Sequence, residues 1–136
     1  MLLFVVPWFI FVVPWLALLP AGEAPQPQPI VGNAEAGRAQ FKRCQPCHEI
    51  TQELNKVGPH LVGVVGRPAA GARNFAYSDA MVKAGAGGLV WTGENLTAFL
   101  KAPRQFVVGN SMSAAPMKDD QAVADLIAYM STQPEP

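Results

Sequence analysis

The pentapeptide Cys44-Gln45-Pro46-Cys47-His48 decides how the rest of this chain is read. It contains the only two cysteines of the sequence, two residues apart and followed directly by a histidine. C-x-x-C-H is the spacing used for covalent attachment of a c-type haem. Two thiols at this distance can add to the two vinyl groups on adjacent edges of a porphyrin. The next residue then stands under the iron and offers an imidazole nitrogen. Three other chemistries use two close cysteines. A thioredoxin-like redox pair expects a βαβ context, and no such pattern is visible. A four-ligand zinc site needs two further ligands, and beyond His48 the only other histidine is His60. A small secreted domain stapled by disulfides uses more cysteines, spread along the chain. One covalent haem bound by Cys44 and Cys47 and ligated by His48 is therefore expected.

Outward from the motif, the chain divides in three. From Leu2 to Ala21 there is no charged residue and most positions are apolar. Residues 1–24 read either as a secretory signal peptide, with Ala21 and Ala24 offering a cleavage site, or as an N-terminal membrane anchor, since about 20 apolar residues can span a bilayer. Neither reading finds the basic residues it wants, because the first Lys or Arg is Arg38. Phe4-Val5-Val6-Pro7-Trp8 is repeated as Phe11-Val12-Val13-Pro14-Trp15, which reads as apolar low complexity. Residues 25–31 form a Pro/Gln linker whose alternating prolines favour a stiff, extended chain. Residues 32–136 are the folding unit. At about 110 residues it can bury one modest core. Either reading of residues 1–24 exports this unit across a membrane, which implies a periplasmic location. The 10 Lys plus Arg balance the 10 Asp plus Glu. Without a basic excess, nucleic acid is not an expected partner.

Within the folding unit, short helices alternate with long loops. Asn33 is a good N-cap for a first helix that ends near Cys44, with Gly37 and Phe41 on one face. Glu49 to Gly71 is rich in Gly, Pro and Val without a period and reads as loop. Ser78 to Ala84 can form a short helix, stopped by Gly85, Gly87 and Gly88. Thr92 can cap another, running through Leu96, Phe99 and Leu100 to a stop at Pro103. Phe106 to Met117 reads as loop. Asp119 and Asp120 open a last helix with an apolar stripe of Val123, Leu126, Ile127 and Met130, and Pro134 ends it. The expected fold class is all-α. Loops of this length in a compact domain need a reason to be ordered, and a large buried cofactor supplies one.

Beyond the haem motif, Gly58-Pro59 with Leu61, Gly66-Arg67, Tyr77-Ser78-Asp79-Ala80, Trp91, Pro103, Gly109 to Met112 and Ala124-Asp125-Leu126-Ile127-Ala128-Tyr129 follow in order. From about Gly32 to Thr132 the chain resembles the class I cytochromes c, within them the mitochondrial and bacterial c2-like group. The resemblance implies the small cytochrome c fold, wrapped around one covalent haem c. It also implies roles. The Pro59 carbonyl should accept a hydrogen bond from His48 and raise its basicity. Arg67, Tyr77 and Trp91 match positions that bond the haem propionates. Gly37 and Phe41 match the crossing of the first helix with the last, near Tyr129.

Five side chains are candidates for the sixth iron ligand. Met130 lies on the apolar stripe of the last helix, Met81 on a short helix away from the distal loop, and His60 on a surface loop of the His48 side. Met112 and Met117 share the loop before the last helix. Aligned with the family from Pro103 to Asp125, Met112 falls at the ligand, which would make His48 and Met112 the metal-binding pair. A thioether ligand stabilises Fe(II) and raises the potential. Four departures from the family are visible. Phe99 stands where a tyrosine is common near the methionine sulfur, and Met81 where asparagine is. Val108 replaces the usual proline, and Asn110-Ser111 replace Thr-Lys. A more apolar distal pocket is expected.

The function implied by the resemblance is single-electron transfer by a monomer between redox protein complexes, such as a cytochrome bc1-type reductase, an oxidase or a dehydrogenase. Lys42, Arg43, Lys56, Lys101 and Arg104 fall in segments that flank the exposed haem edge in the family, and could steer acidic partners. No arrangement of Ser, His and Asp suggests nucleophilic chemistry, and no phosphate loop is present, so an enzyme is not expected. The alternative is a haem subunit, ligand sensor or peroxidase-like protein with a labile sixth ligand.

Overall fold

The computed structural model describes residues 31–133. The expected signal peptide or anchor, all but the last residue of the Pro/Gln linker, and the stop at Pro134 lie outside these residues. Five helices follow in order: α1 (Ala34–Phe41), α2 (Asp79–Ala86), α3 (Gly93–Lys101), α4 (Pro103–Phe106) and α5 (Asp120–Ser131). No strand forms among the described residues beyond one isolated bridge, Pro68 to Val90. The described residues are all-α, as expected.

The caps are those expected from the residue types. Asn33 accepts from Ala36 N–H, Ser78 from Met81 N–H and Thr92 from Asn95 N–H. Asp119 accepts from both Gln121 and Ala122 N–H and places its charge at the positive end of α5. One element was not expected. Pro103 does not merely stop α3: Ala102 breaks the chain direction at φ −150° and Pro103 begins the four-residue α4. A proline with its fixed φ and missing N–H is well suited to a first helical position.

The first and last helices cross at Gly37. A Cβ there would fall within contact of the Asp125 carbonyl oxygen and 2.7 Å from Tyr129 Cβ, so only glycine lets the backbones approach. Phe41 stacks on Tyr129 with ring centroids 5.7 Å apart. Asn33 N–H donates to the buried Asp125 carboxylate at 2.7 Å, which fastens the start of α1 to α5. Phe41, Val123 and Leu126 are nearly fully buried at this crossing and below it, each contributing about 1.5–3 kcal/mol.

The long segment between α1 and α2 is held by backbone bonds to the strand-like stretch before α3. Gly66 N–H donates to Trp91 O, Trp91 N–H to Arg67 O and Ala69 N–H to Leu89 O. These bonds order a chain that has no helix of its own, and they bring Arg67 and Trp91 to the same wall.

Candidate functional site

A cavity of about 480 Å³ opens in the middle of the fold, a size typical of cofactor pockets. Cys44, Cys47, His48, Pro59, Arg67, Tyr77, Trp91 and Met112, the whole set of expected site residues, line it.

The attachment motif enters at the end of α1. Cys44 N–H donates to Phe41 O at 2.8 Å, and Cys47 and His48 N–H both donate to Cys44 O at 3.0 and 2.9 Å. These turns put both sulfurs and the imidazole on the cavity side of one tight bend. Both thiols are free. Burial pushes the Cys44 thiol above its ordinary pKa, partly opposed by the Arg43 guanidinium. Burial also pushes His48 below its ordinary value, partly opposed by its bond to Pro59. The ring is thereby kept neutral, the form that can donate a lone pair to a metal.

His48 Nδ1 lies 2.7 Å from the Pro59 carbonyl oxygen. A carbonyl has no proton, so Nδ1 donates. In the neutral ring Nε2 then carries the lone pair. Gly58 supports this orientation by lying flat against the ring: a Cβ there would strike Cε1 and come within 2.7 Å of Nδ1.

Met112 lines the same cavity, half-buried in the loop before α5, its N–H held by Asn110 Oδ1 at 2.9 Å. It is not the only methionine there. Met81, Met117 and Met130 also line the cavity. Met81 is therefore not remote from the distal loop, because the Ser78 cap starts α2 so that Met81 is buried toward the cavity. Met81, Met117 and Met130 are all buried in the apolar cluster, whereas Met112 only packs against it. Phe99 stacks on Trp91 at 4.9 Å, and both line the cavity with Met81, which makes this part of the pocket apolar.

Arg67 departs from the simplest expectation. Two arms of its guanidinium are spent on backbone carbonyls, Nη1 on Val62 O and Nη2 on His60 O, each at 2.9 Å. Nε is buried without a partner, alone in this among the side-chain nitrogens and oxygens of the described residues. An orphaned buried cationic N–H costs several kcal/mol unless an acceptor meets it. A carboxylate of a cofactor seated in this cavity would be such an acceptor. Tyr77 offers its hydroxyl oxygen to Ala72 N–H at 3.1 Å, which leaves its proton available.

His60 is not a surface residue. It is 5% exposed, its N–H held by Asn55 Oδ1 and its ring 3.5 Å from Arg67 Nη1. The turn that presents the Pro59 carbonyl to His48 tucks the next side chain inward under Arg67. Burial and then the Arg67 charge hold its pKa below the ordinary value. Proximity of these two residues could not be read from their spacing, since it depends on the path of the loop.

The residues fit a covalently bound haem: two free thiols, one neutral imidazole, thioethers in the same cavity, and an orphaned donor that a propionate could meet. Held there, a haem would supply one-electron exchange at its iron. The protein's own residues would tether it through Cys44 and Cys47, fix the imidazole through Pro59, exclude water with Trp91, Phe99 and the methionines, and offer Arg67 Nε to a buried carboxylate.

Comparison with known proteins identifies the family. The family model for cytochrome c matches residues 34–134. Cytochrome c2 of Agrobacterium tumefaciens is 46% identical over 100 residues, covering 73% of this chain and 90% of that protein. Cytochrome c2 of Rhodospirillum rubrum is 40% identical over 110 residues, covering 74% and 97%. The solved structure of cytochrome cH from Methylobacterium extorquens superposes with a TM-score of 0.70 at 41% identity, covering 75% of this chain and all of that one. The chain belongs to the cytochrome c family, as a c2-like monohaem electron carrier with one covalently attached haem c.

Proposed function

We propose that His48 and Met112 are the two axial ligands, and that the protein shuttles single electrons between membrane-bound redox complexes on the exported side of a membrane. The observation that carries the ligand pair is the 2.7 Å bond from His48 Nδ1 to Pro59 O, which fixes the Nε2 lone pair, together with Met112 in the same cavity. Arg67 Nε, Tyr77 and Trp91 serve the propionate side. With His48 and Met112 both holding the iron, no position would be left for a substrate, as a carrier requires. The partner chemistry is that of a quinol-oxidising reductase, an oxidase or a dehydrogenase. The exposed Lys42, Arg43 and Arg104 present positive charge toward such complexes. Residues 1–24 act as export signal or anchor, and residues 25–31 as the linker to the haem domain. No described helix is long and apolar enough to cross a membrane.

The oxidised protein should show the weak near-infrared band of thioether-ligated ferric haem. Met112→Ala should abolish it, lower the potential and let carbon monoxide bind the reduced form. Met81→Ala, Met117→Ala and Met130→Ala should leave the band. Loss of the band in one of these three instead would move the ligand. Ready carbon monoxide binding by the wild type would favour a sensor or peroxidase. Sequencing the N-terminus of the mature protein separates a cleaved signal, which leaves a start near Gly22 to Pro25, from a retained anchor.

A further inference from the structure

Val107 to Asn110 form a turn closed by Asn110 N–H to Val107 O at 3.1 Å. Its third residue, Gly109, has φ +90°, the conformation that a type II turn demands there. Proline is favoured at the second position of such a turn, where it fixes φ beforehand. This chain has Val108, 79% exposed and without a proline's constraint.

The Asn110 side chain supplies what the missing proline does not. Its Nδ2 donates to two carbonyls, Pro103 O at 2.7 Å and Val107 O at 2.8 Å. Its Oδ1 accepts from Met112 N–H at 2.9 Å. One amide thereby uses both its donors and its acceptor to join the first residue of α4, the start of the turn and the backbone of Met112. Asn110 also lines the cavity.

We infer that Asn110 is the positioning residue for the sixth ligand: it braces the Val107–Asn110 turn so that Met112 stays on the cavity wall. The inference rests on Met112 as axial ligand. Asn110 touches no iron and acts only through Met112. Without it the loop keeps one backbone bond in the turn and loses three side-chain bonds.

The test uses ferric holo-protein and cyanide, which binds the iron only when the methionine moves away. Removing several hydrogen bonds from the closed loop should raise cyanide association by about tenfold or more in Asn110→Ala, and should weaken the near-infrared band. Asn110→Ser, whose hydroxyl can still accept from Met112 N–H, should lie between. Val108→Pro added to Asn110→Ala should restore slower entry, because Val107 already has the extended backbone that precedes a proline. A role in general stability alone would lower the denaturation midpoint and leave cyanide entry unchanged. Wild-type entry rates in Asn110→Ala, or a double variant as open as the single one, overturn the proposal. If Asn110→Ala does not mature, the serine variant decides by the same rate. Should Met112→Ala keep the band, the ligand assignment itself has failed. Should it abolish the band while Asn110→Ala changes nothing, only the bracing role has.

Discussion

Gly37→Ala puts one methyl group into the crossing of α1 and α5. In an open helix this change stabilises, because alanine is favoured over glycine in helix interiors by about 0.8–1 kcal/mol. Here the added carbon would lie within contact of the Asp125 carbonyl oxygen, 2.5 Å from the carbonyl carbon and 2.7 Å from Tyr129 Cβ. Carbon atoms pack at about 3.5–4.0 Å, so the helices must part by about 1 Å. Such overpacking costs about 1–3 kcal/mol. Parting also weakens the Phe41–Tyr129 stack, a pair of a kind worth about 0.5–1.5 kcal/mol. It stretches the 2.7 Å bond from Asn33 N–H to Asp125, worth about 1 kcal/mol. The losses exceed the propensity gain, for a net destabilisation of about 1–3 kcal/mol. A domain of this size loses about 4–8 °C of Tm per kcal/mol. Thermal unfolding of the ferric holo-protein, followed by far-ultraviolet circular dichroism, measures it. Ala36→Gly, one residue away and exposed, is the control: it should cost only the propensity term of about 1 kcal/mol. A Gly37→Ala protein that melts at or above the wild type would refute the close approach as the reason for glycine.

Three other outcomes follow from the structure. His60 is held below its ordinary pKa in the folded protein. As pH falls through about 6.5 the unfolded chain takes up this proton first, so stability should be complete above that pH and decline below it; urea titrations at neutral and mildly acidic pH should show the decline, and His60→Gln should flatten it. Lys101 is already paired with Asp120 and Lys56 with Glu49, so Lys42→Ala and Arg104→Ala should slow reaction with an acidic redox partner more than Lys101→Ala does. Stopped-flow rates at low ionic strength check this, and the difference should fade above ~0.1 M salt. Gly58→Ala should push the His48 ring from Pro59 O, lower its basicity and raise the reduction potential, and a spectroelectrochemical titration that finds no change would contradict the supporting role of this glycine.

The attachment site was legible because its chemistry is local. Cys44, Cys47 and His48 depend on one turn, and the helix starts at Asn33, Ser78, Thr92 and Asp119 depend on residues within the same few positions. What was not legible depends on how distant segments meet. His60 reads as a loop residue until the path of the chain carries it under Arg67. Met81 reads as remote until α2 packs against the cavity. Arg67 reads as a propionate fork, yet two of its arms are taken by the carbonyls of its own loop. Asn110 differs from the family's threonine, but only the positions of Pro103 O and Met112 N reveal what its amide joins.

The bond between Asn33 and Asp125 spans a sequence separation of 92 residues. Closing a loop of that length costs chain entropy of order (3/2)RT ln n, roughly 4 kcal/mol before any contact is gained. A chain that emerges N-terminus first presents Cys44 to His48 long before α5 exists to close against α1. The attachment motif is therefore made early, and α1 gains its partner only when the last helix, twelve residues long, arrives. The same closure sets the order of loss: pulling or trimming from the C-terminal end removes α5, and with it the partner of α1, before it disturbs the turns that hold the two thiols.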